Sequence, residues 1–157
     1  MKKIFTSLKH PNFRLFWFGQ MVSLSGTWVQ TIAQGWLVLE LTNSAFLLGM
    51  INAIAALPIM LFSLVGGVVA DRFNKKKILL TTQTFSMVLA FCLGVLVSLK
   101  IAHFWNIAIV VALLGLVNAF DVPTRQSFVV EMVGKGELNN AIALNSLLFN
   151  AARIYWL

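Results

Sequence analysis

Long charge-free runs constrain this chain more than any other feature. They lie between Arg14 and Glu40, Glu40 and Asp71, Lys77 and Lys100, and His103 and Asp121. A helix that crosses a bilayer needs about 20 largely apolar residues, and these runs have that scale. A fifth apolar stretch begins near Leu138 and is interrupted by Arg153. Composition points the same way: of 157 residues 59% are hydrophobic and 11% charged, against roughly 45–50% and about 25% in a soluble domain. A core built from a chain this short cannot hide so much apolar surface. A water-soluble globule is excluded. The sequence predicts an all-α integral membrane protein with about five transmembrane helices, near 15–39, 45–70, 78–99, 104–130 and 138–157. Barrel strands are shorter and alternate in polarity, so the runs read as helices.

The net charge of +7 (12 Lys+Arg, 5 Asp+Glu) would suggest nucleic acid if it formed a patch on a polar face. It does not, and no nucleic-acid partner is expected. The basic residues sit between apolar runs, where they report topology. Lys2, Lys3, Lys9 and Arg14 precede the first run; Arg72, Lys75, Lys76 and Lys77 follow the second; the other connections hold only Lys100. This alternation predicts a multi-pass membrane protein with a cytoplasmic N-terminus and a cytoplasmic 71–77 loop. The first run is too long for a signal peptide, and no small-residue cleavage site follows it. Residues 1–10 suit a short interfacial helix, closed by His10-Pro11. Asn43-Ser44 is expected to cap the second helix, and Asn74 to lie in the loop that ends it.

Polar stripes interrupt the apolar surface. Projected at 100° per residue, Gln20, Ser23, Thr27, Gln30, Thr31 and Gln34 fall within about a 100° arc of the first helix. Hydrocarbon offers these groups no partners, so they must face protein or water. Interhelical hydrogen bonding needs one or two such groups; six along one helix favour a wet, substrate-facing wall. Asp121 and Arg125 lie four residues apart around Pro123 in the fourth helix, on one face, where they can neutralise each other. They read either as an ion pair at the end of the span or as a cavity pair that binds an ionic substrate or couples a proton. Pro123 predicts a kink near 119–123, and Pro58 another in the second helix. In the last helix Asn139, Ser146, Asn150 and Arg153 project within about 60° of one another. Ser146, Asn150 and Arg153 read as cavity-facing, and Asp121 is one candidate partner for Arg153.

Ser63 with Gly67, and Gly66 with Ala70, make small-xxx-small pairs that permit close backbone approach. Trp17, Trp36 and Trp105 are placed as interfacial belt residues, and Trp28 as packed inside the bundle. No phosphate-binding glycine loop is present, the two histidines are isolated, and the single Cys92 can form neither an intrachain disulfide nor a zinc site. The residues call for no metal, no cofactor and no catalytic group; an enzyme is not expected.

Residues 67–77 read Gly-Val-Val-Ala-Asp-Arg-Phe-Asn-Lys-Lys-Lys. This resembles the loop between the second and third helices of the major facilitator superfamily: Gly, three residues, Asp-Arg, two residues, then basic residues. The stretches Asn12–Trp17, Asn118–Gln126 and Asn140–Ser146 are similar to the branch that includes enterobactin-exporter-like proteins. The resemblance spans about residues 10–154. It implies an incomplete N-terminal six-helix half of a twelve-helix fold, in which each half is a pair of inverted three-helix repeats. The bacterial inner membrane as its location is an expectation that rests on this resemblance.

The resemblance also implies a conformational signature loop. Asp71, with Gly67 before it, would sit against the start of an eleventh helix, and Arg72, Lys75 and Lys76 would pair with Glu131 to hold the outward-facing state. Asn74 stands where the general signature has Gly; Asn tolerates a left-handed backbone better than most residues, which would preserve the turn. The first and fourth helices would line the cavity. The chain covers four helices and most of a fifth, leaving a C-terminal half or a membrane partner to be supplied. The expected function is that of an N-terminal fragment of a secondary transporter exporting a siderophore- or drug-class small molecule, proton-coupled, and inactive alone. The alternative is a non-transporting membrane protein that assembles with or regulates a partner.

Overall fold

A computed structural model of the chain describes residues 11–133, together with 143, 144, 146, 147 and 150. Every ordered element among them is helical: α1 (Pro11–Thr42), α2 (Ala45–Arg72), α3 (Lys75–Ser98) and α4 (Phe104–Val133). The four expected helices are present, each within a few residues of its expected bounds. The expected fifth helix, apart from those few positions, and the interfacial segment at 1–10 lie outside the described residues. By length and composition α2, α3 and α4 can each cross a membrane, with mean hydropathies of 2.3, 1.8 and 2.0. α1 has ample length, 32 residues, but is not in that set; its stripe of glutamines, serines and threonines dilutes its apolar character.

Local chemistry places the ends. Pro11 opens α1, where its missing N–H costs nothing. Asn43 leaves the helix at φ 48° while its N–H still donates to Leu39 O at 2.8 Å. Ser44 then caps α2 as expected, its hydroxyl accepting from the Leu47 N–H. Asn74 departs from the expected role. It is extended (φ −66°, ψ 109°) rather than left-handed, and its side chain caps α3 by accepting the Lys77 N–H at 3.1 Å. Asn74 thus acts as an N-cap, a role asparagine fills well, and does not adopt the left-handed turn expected of it. α3 ends with Lys100 at φ 57°, and the Ile101 and Lys100 N–H groups return to Leu96 O and Val97 O, a paired closure of the last turn.

The chain divides into two compact units. In the unit formed by 33–127, one end is an apolar cluster: Val38 from α1, Ile51 from α2, Leu93 from α3, and Ile107, Ala108, Val110 and Val111 from α4. α4 is its central member, with 44% of its most apolar window buried against 11% for α2. Two glycines let α2 and α4 touch backbone to backbone. A Cβ on Gly66 would overlap the Ala119 carbonyl, and one on Gly115 would overlap the Ala55 carbonyl. Pro123, one turn beyond Ala119, has no N–H to give that carbonyl, so the close approach of Gly66 falls where the helix has a free acceptor. α2 and α4 each continue through their prolines, Pro58 and Pro123. Of the expected small-residue pairs, Gly66 and Ala70 are buried, whereas a Cβ on Gly67 would meet nothing within 4 Å.

In the other unit, 1–32 with 128–157, Phe13, Val129 and Leu144 form a small core joined by Phe16, Trp17 and Met132. Phe16 and Phe128 meet edge to face at 5.4 Å.

Candidate functional site

The strongest candidate site in the 33–127 unit is a buried polar network on α3 and α4. Asp121 and Arg125 form the i,i+4 pair that their spacing allows. The Arg125 Nε and Nη2 groups donate to Asp121 Oδ2 at 2.9 and 2.7 Å, and the two side chains are 13% and 10% exposed. On insertion scales each such residue near a helix centre costs roughly 2.5–3.5 kcal/mol. Mutual neutralisation offsets much of this, and two donors on one carboxylate oxygen fix the geometry. The other oxygen is also engaged: Thr82 Oγ1 donates to Asp121 Oδ1 at 2.7 Å. Thr82 Oγ1 also lies 3.0 Å from Leu79 O, but a hydroxyl has one proton, and the shorter, charge-assisted bond to the carboxylate is the stronger use of it. Both oxygens of Asp121 are therefore occupied. Beside it Thr124, fully buried, bonds back to Phe120 O at 2.7 Å.

Thr82 was not singled out by sequence. It stands in the run Thr81-Thr82-Gln83-Thr84, where nothing local distinguishes the inward position. Thr81 and Thr84 bond to their own helix carbonyls and are exposed.

Two buried donors in this unit have no partner among the described residues: Arg125 Nη1 and Gln34 Nε2. Buried polar atoms are nearly always hydrogen-bonded, so exceptions mark places where a further group is wanted. Gln34, itself 9% exposed, is the last member of the α1 stripe.

The rest of the stripe belongs to the other unit and is not uniform. Gln20 is buried and engaged, Ser23 and Gln30 are half-buried, and Thr27 and Thr31 are exposed. Thr27 and Thr31 donate to Ser23 O and Thr27 O of their own helix at 3.0 and 2.9 Å. Gln30 Nε2 is buried with no partner among the described residues. In the same unit Ser146 and Asn150 are exposed, and Asn150 Nδ2 donates to Ser146 O at 2.8 Å. Arg153 and Asn139 lie outside the described residues.

The signature loop closes the 33–127 unit at the junction of α2 and α3. Asp71, Arg72 and Lys76 are exposed, Lys75 and Gly67 half-buried. Lys75 is engaged in an interaction, as is Glu131, an exposed residue of the other unit. Trp36 and Trp105 are 71% and 70% exposed, as belt residues would be; Trp17 and Trp28 are half-buried.

Comparison with known proteins agrees with this architecture. A family model described as transmembrane secretion effector (MFS_3) matches residues 3–155. The staphyloferrin A transporter of Staphylococcus aureus is 28% identical over 141 residues, covering 89% of this chain and 36% of that protein. The uncharacterized MFS-type transporter YfiS of Bacillus subtilis is 20% identical over 137 residues, covering 87% of this chain and 32% of that protein. The chain thus spans about a third of the length of these curated relatives. No solved structure gives a significant match. With all but a few residues under the family model and an all-helical, lipid-compatible bundle, this chain belongs to the transmembrane secretion effector family of major facilitator transporters.

Proposed function

We propose that the chain supplies part of the N-terminal half of a secondary transporter that moves a siderophore- or drug-class small molecule outward, driven by protons. The observation that carries this reading is the buried Asp121–Arg125 pair, which leaves Arg125 Nη1 without a partner among the described residues. A charged pair kept inside a membrane helix is costly, and such groups mark substrate or ion pathways. The family's description as a secretion effector supports the outward direction, and the name of the staphylococcal relative supports a siderophore. The distribution of Lys and Arg supports a cytoplasmic N-terminus.

In this reading Arg125 presents its remaining donor to an anionic group of the substrate, and Asp121 holds the guanidinium in place. In α1, Gln34 of the same unit contributes a second donor, its Nε2 being buried without a partner among the described residues. Asp71, Arg72, Lys75 and Lys76, with Glu131, bias the conformational equilibrium from the membrane surface. The partner is a C-terminal half or another membrane protein, because alternating access rocks one bundle against another.

Two experiments test this. Exchanging the residues equivalent to Asp121 and Arg125 in a full-length relative should restore transport lost in each single change; if the exchange restores none, the two residues do not act in transport as a charge pair. Vesicles holding only the 157-residue chain should show no saturable, gradient-driven flux. Such flux would overturn the need for a partner.

A further inference from the structure

A groove of about 810 Å³ runs along α3 and α4 within the 33–127 unit. Its walls are almost wholly apolar, among them Phe85, Leu89, Leu113 and Phe120, and its mouth carries one charged residue, Lys77. The polar groups on its lining are already satisfied: Asn74 caps the Lys77 N–H, Thr81 bonds to Lys77 O, and Thr82 bonds to Asp121. The Lys77 ammonium is exposed and has no ion pair among the described residues.

Charge and dimension together indicate an occupant. α3 opens with Lys75, Lys76 and Lys77 and has no acidic residue in its first turn. Lys75 is already engaged, but Lys76 and Lys77 also stand at the positive end of the helix dipole, an unfavourable arrangement that a nearby anion relieves. From Lys77 to Leu89 the groove follows α3 for about 18 Å at roughly 1.5 Å per residue. One leaflet of a hydrocarbon core about 30 Å thick offers about 15 Å. A polar head at Lys77, at the membrane surface, therefore places a hydrocarbon tail along the apolar walls over about the depth of one leaflet.

We propose that this groove is a binding site for one anionic phospholipid, its phosphate at Lys77 and an acyl chain lying between α3 and α4. The groove borders the Asp121–Arg125 network at Thr82, whose hydroxyl is already committed to Asp121, and its occupancy does not require that the chain transport anything.

The test places a photo-reactive benzoyl-phenylalanine at Phe85, in the groove, or at Phe91, which is 73% exposed on the same helix but outside the lining. The full chain is irradiated in vesicles of equal phosphatidylcholine and phosphatidylglycerol, and the adducts are weighed. Adducts at Phe85 should be enriched about fivefold in phosphatidylglycerol over those at Phe91, the ratio one lysine's attraction to an anionic lipid supplies. Lys77→Gln should abolish the enrichment, and Lys100→Gln, at the other end of α3, should leave it. Equal lipid ratios at the two positions would overturn the proposal, as would enrichment that survives Lys77→Gln. A chain-to-chain adduct at Phe85 would assign the groove to a second copy instead. Should the Phe85 variant fail to insert, Val88, which also lines the groove, takes the probe.

Discussion

The two ends of the 33–127 unit are held together by different forces. At one end Val38, Ile51, Leu93, Ile107 and Val111 interdigitate as a purely apolar cluster. At the other, Gly66 meets the Ala119 carbonyl and Thr82 and Arg125 converge on Asp121. In water the first end would dominate. In lipid it loses that advantage, because a hydrocarbon tail solvates a leucine about as well as another helix does; dispersion from close packing is what remains. The apolar end therefore adheres without choosing a register. The polar end chooses one, since a buried carboxylate and guanidinium each leave the other stranded if α3 or α4 shifts.

This comparison can be broken most sharply at Asp121. Asp121→Asn leaves Arg125 buried without its counter-charge and should destabilise the chain by about 3–5 kcal/mol, read as a shift in the denaturant midpoint in mixed micelles. A loss no larger than that of an apolar truncation would show that the pair does not anchor the bundle. Next comes Gly66→Ala, which forces a methyl into the Ala119 carbonyl and should cost about 1–3 kcal/mol. The same assay applied to Ile107→Val, in the apolar end, should show about 0.5–1.5 kcal/mol. Thr82→Val keeps the shape and removes one bond to the carboxylate; membrane hydrogen bonds average about 0.6 kcal/mol, so a small loss is expected. Gly67→Ala, with open space around it, should lie within about 0.5 kcal/mol of the parent. If Gly66→Ala and Gly67→Ala are equal in effect, α2 and α4 do not approach as described.

Those neighbouring glycines also show where sequence reading stops. Both stand in small-residue spacings, yet one faces a backbone carbonyl and the other open space; a rotation of α2 by one residue separates them, and no local propensity fixes that angle. Thr82 is the same case. Its neighbours Thr81 and Thr84 have equal chemistry and end on their own helix. The α1 stripe was legible as a polar arc, because projection depends only on helical period. What its members touch was not: Gln20 and Gln34 are buried while Thr27 and Thr31 are exposed and bonded to their own backbone.

By itself the sequence determined the class of this protein, the extents of α1 to α4 and the Asp121–Arg125 spacing. Each follows from a quantity counted along one helix: apolar length against bilayer thickness, cap residues at run ends, and 3.6 residues per turn. The tertiary structure alone decided that Thr82 completes the Asp121 network, that Gly66 rather than Gly67 seats α2 on α4, and that an apolar groove opens onto Lys77. Those depend on the rotation and depth of one helix against another, which apolar surfaces in lipid leave free and which a few polar and small residues must fix.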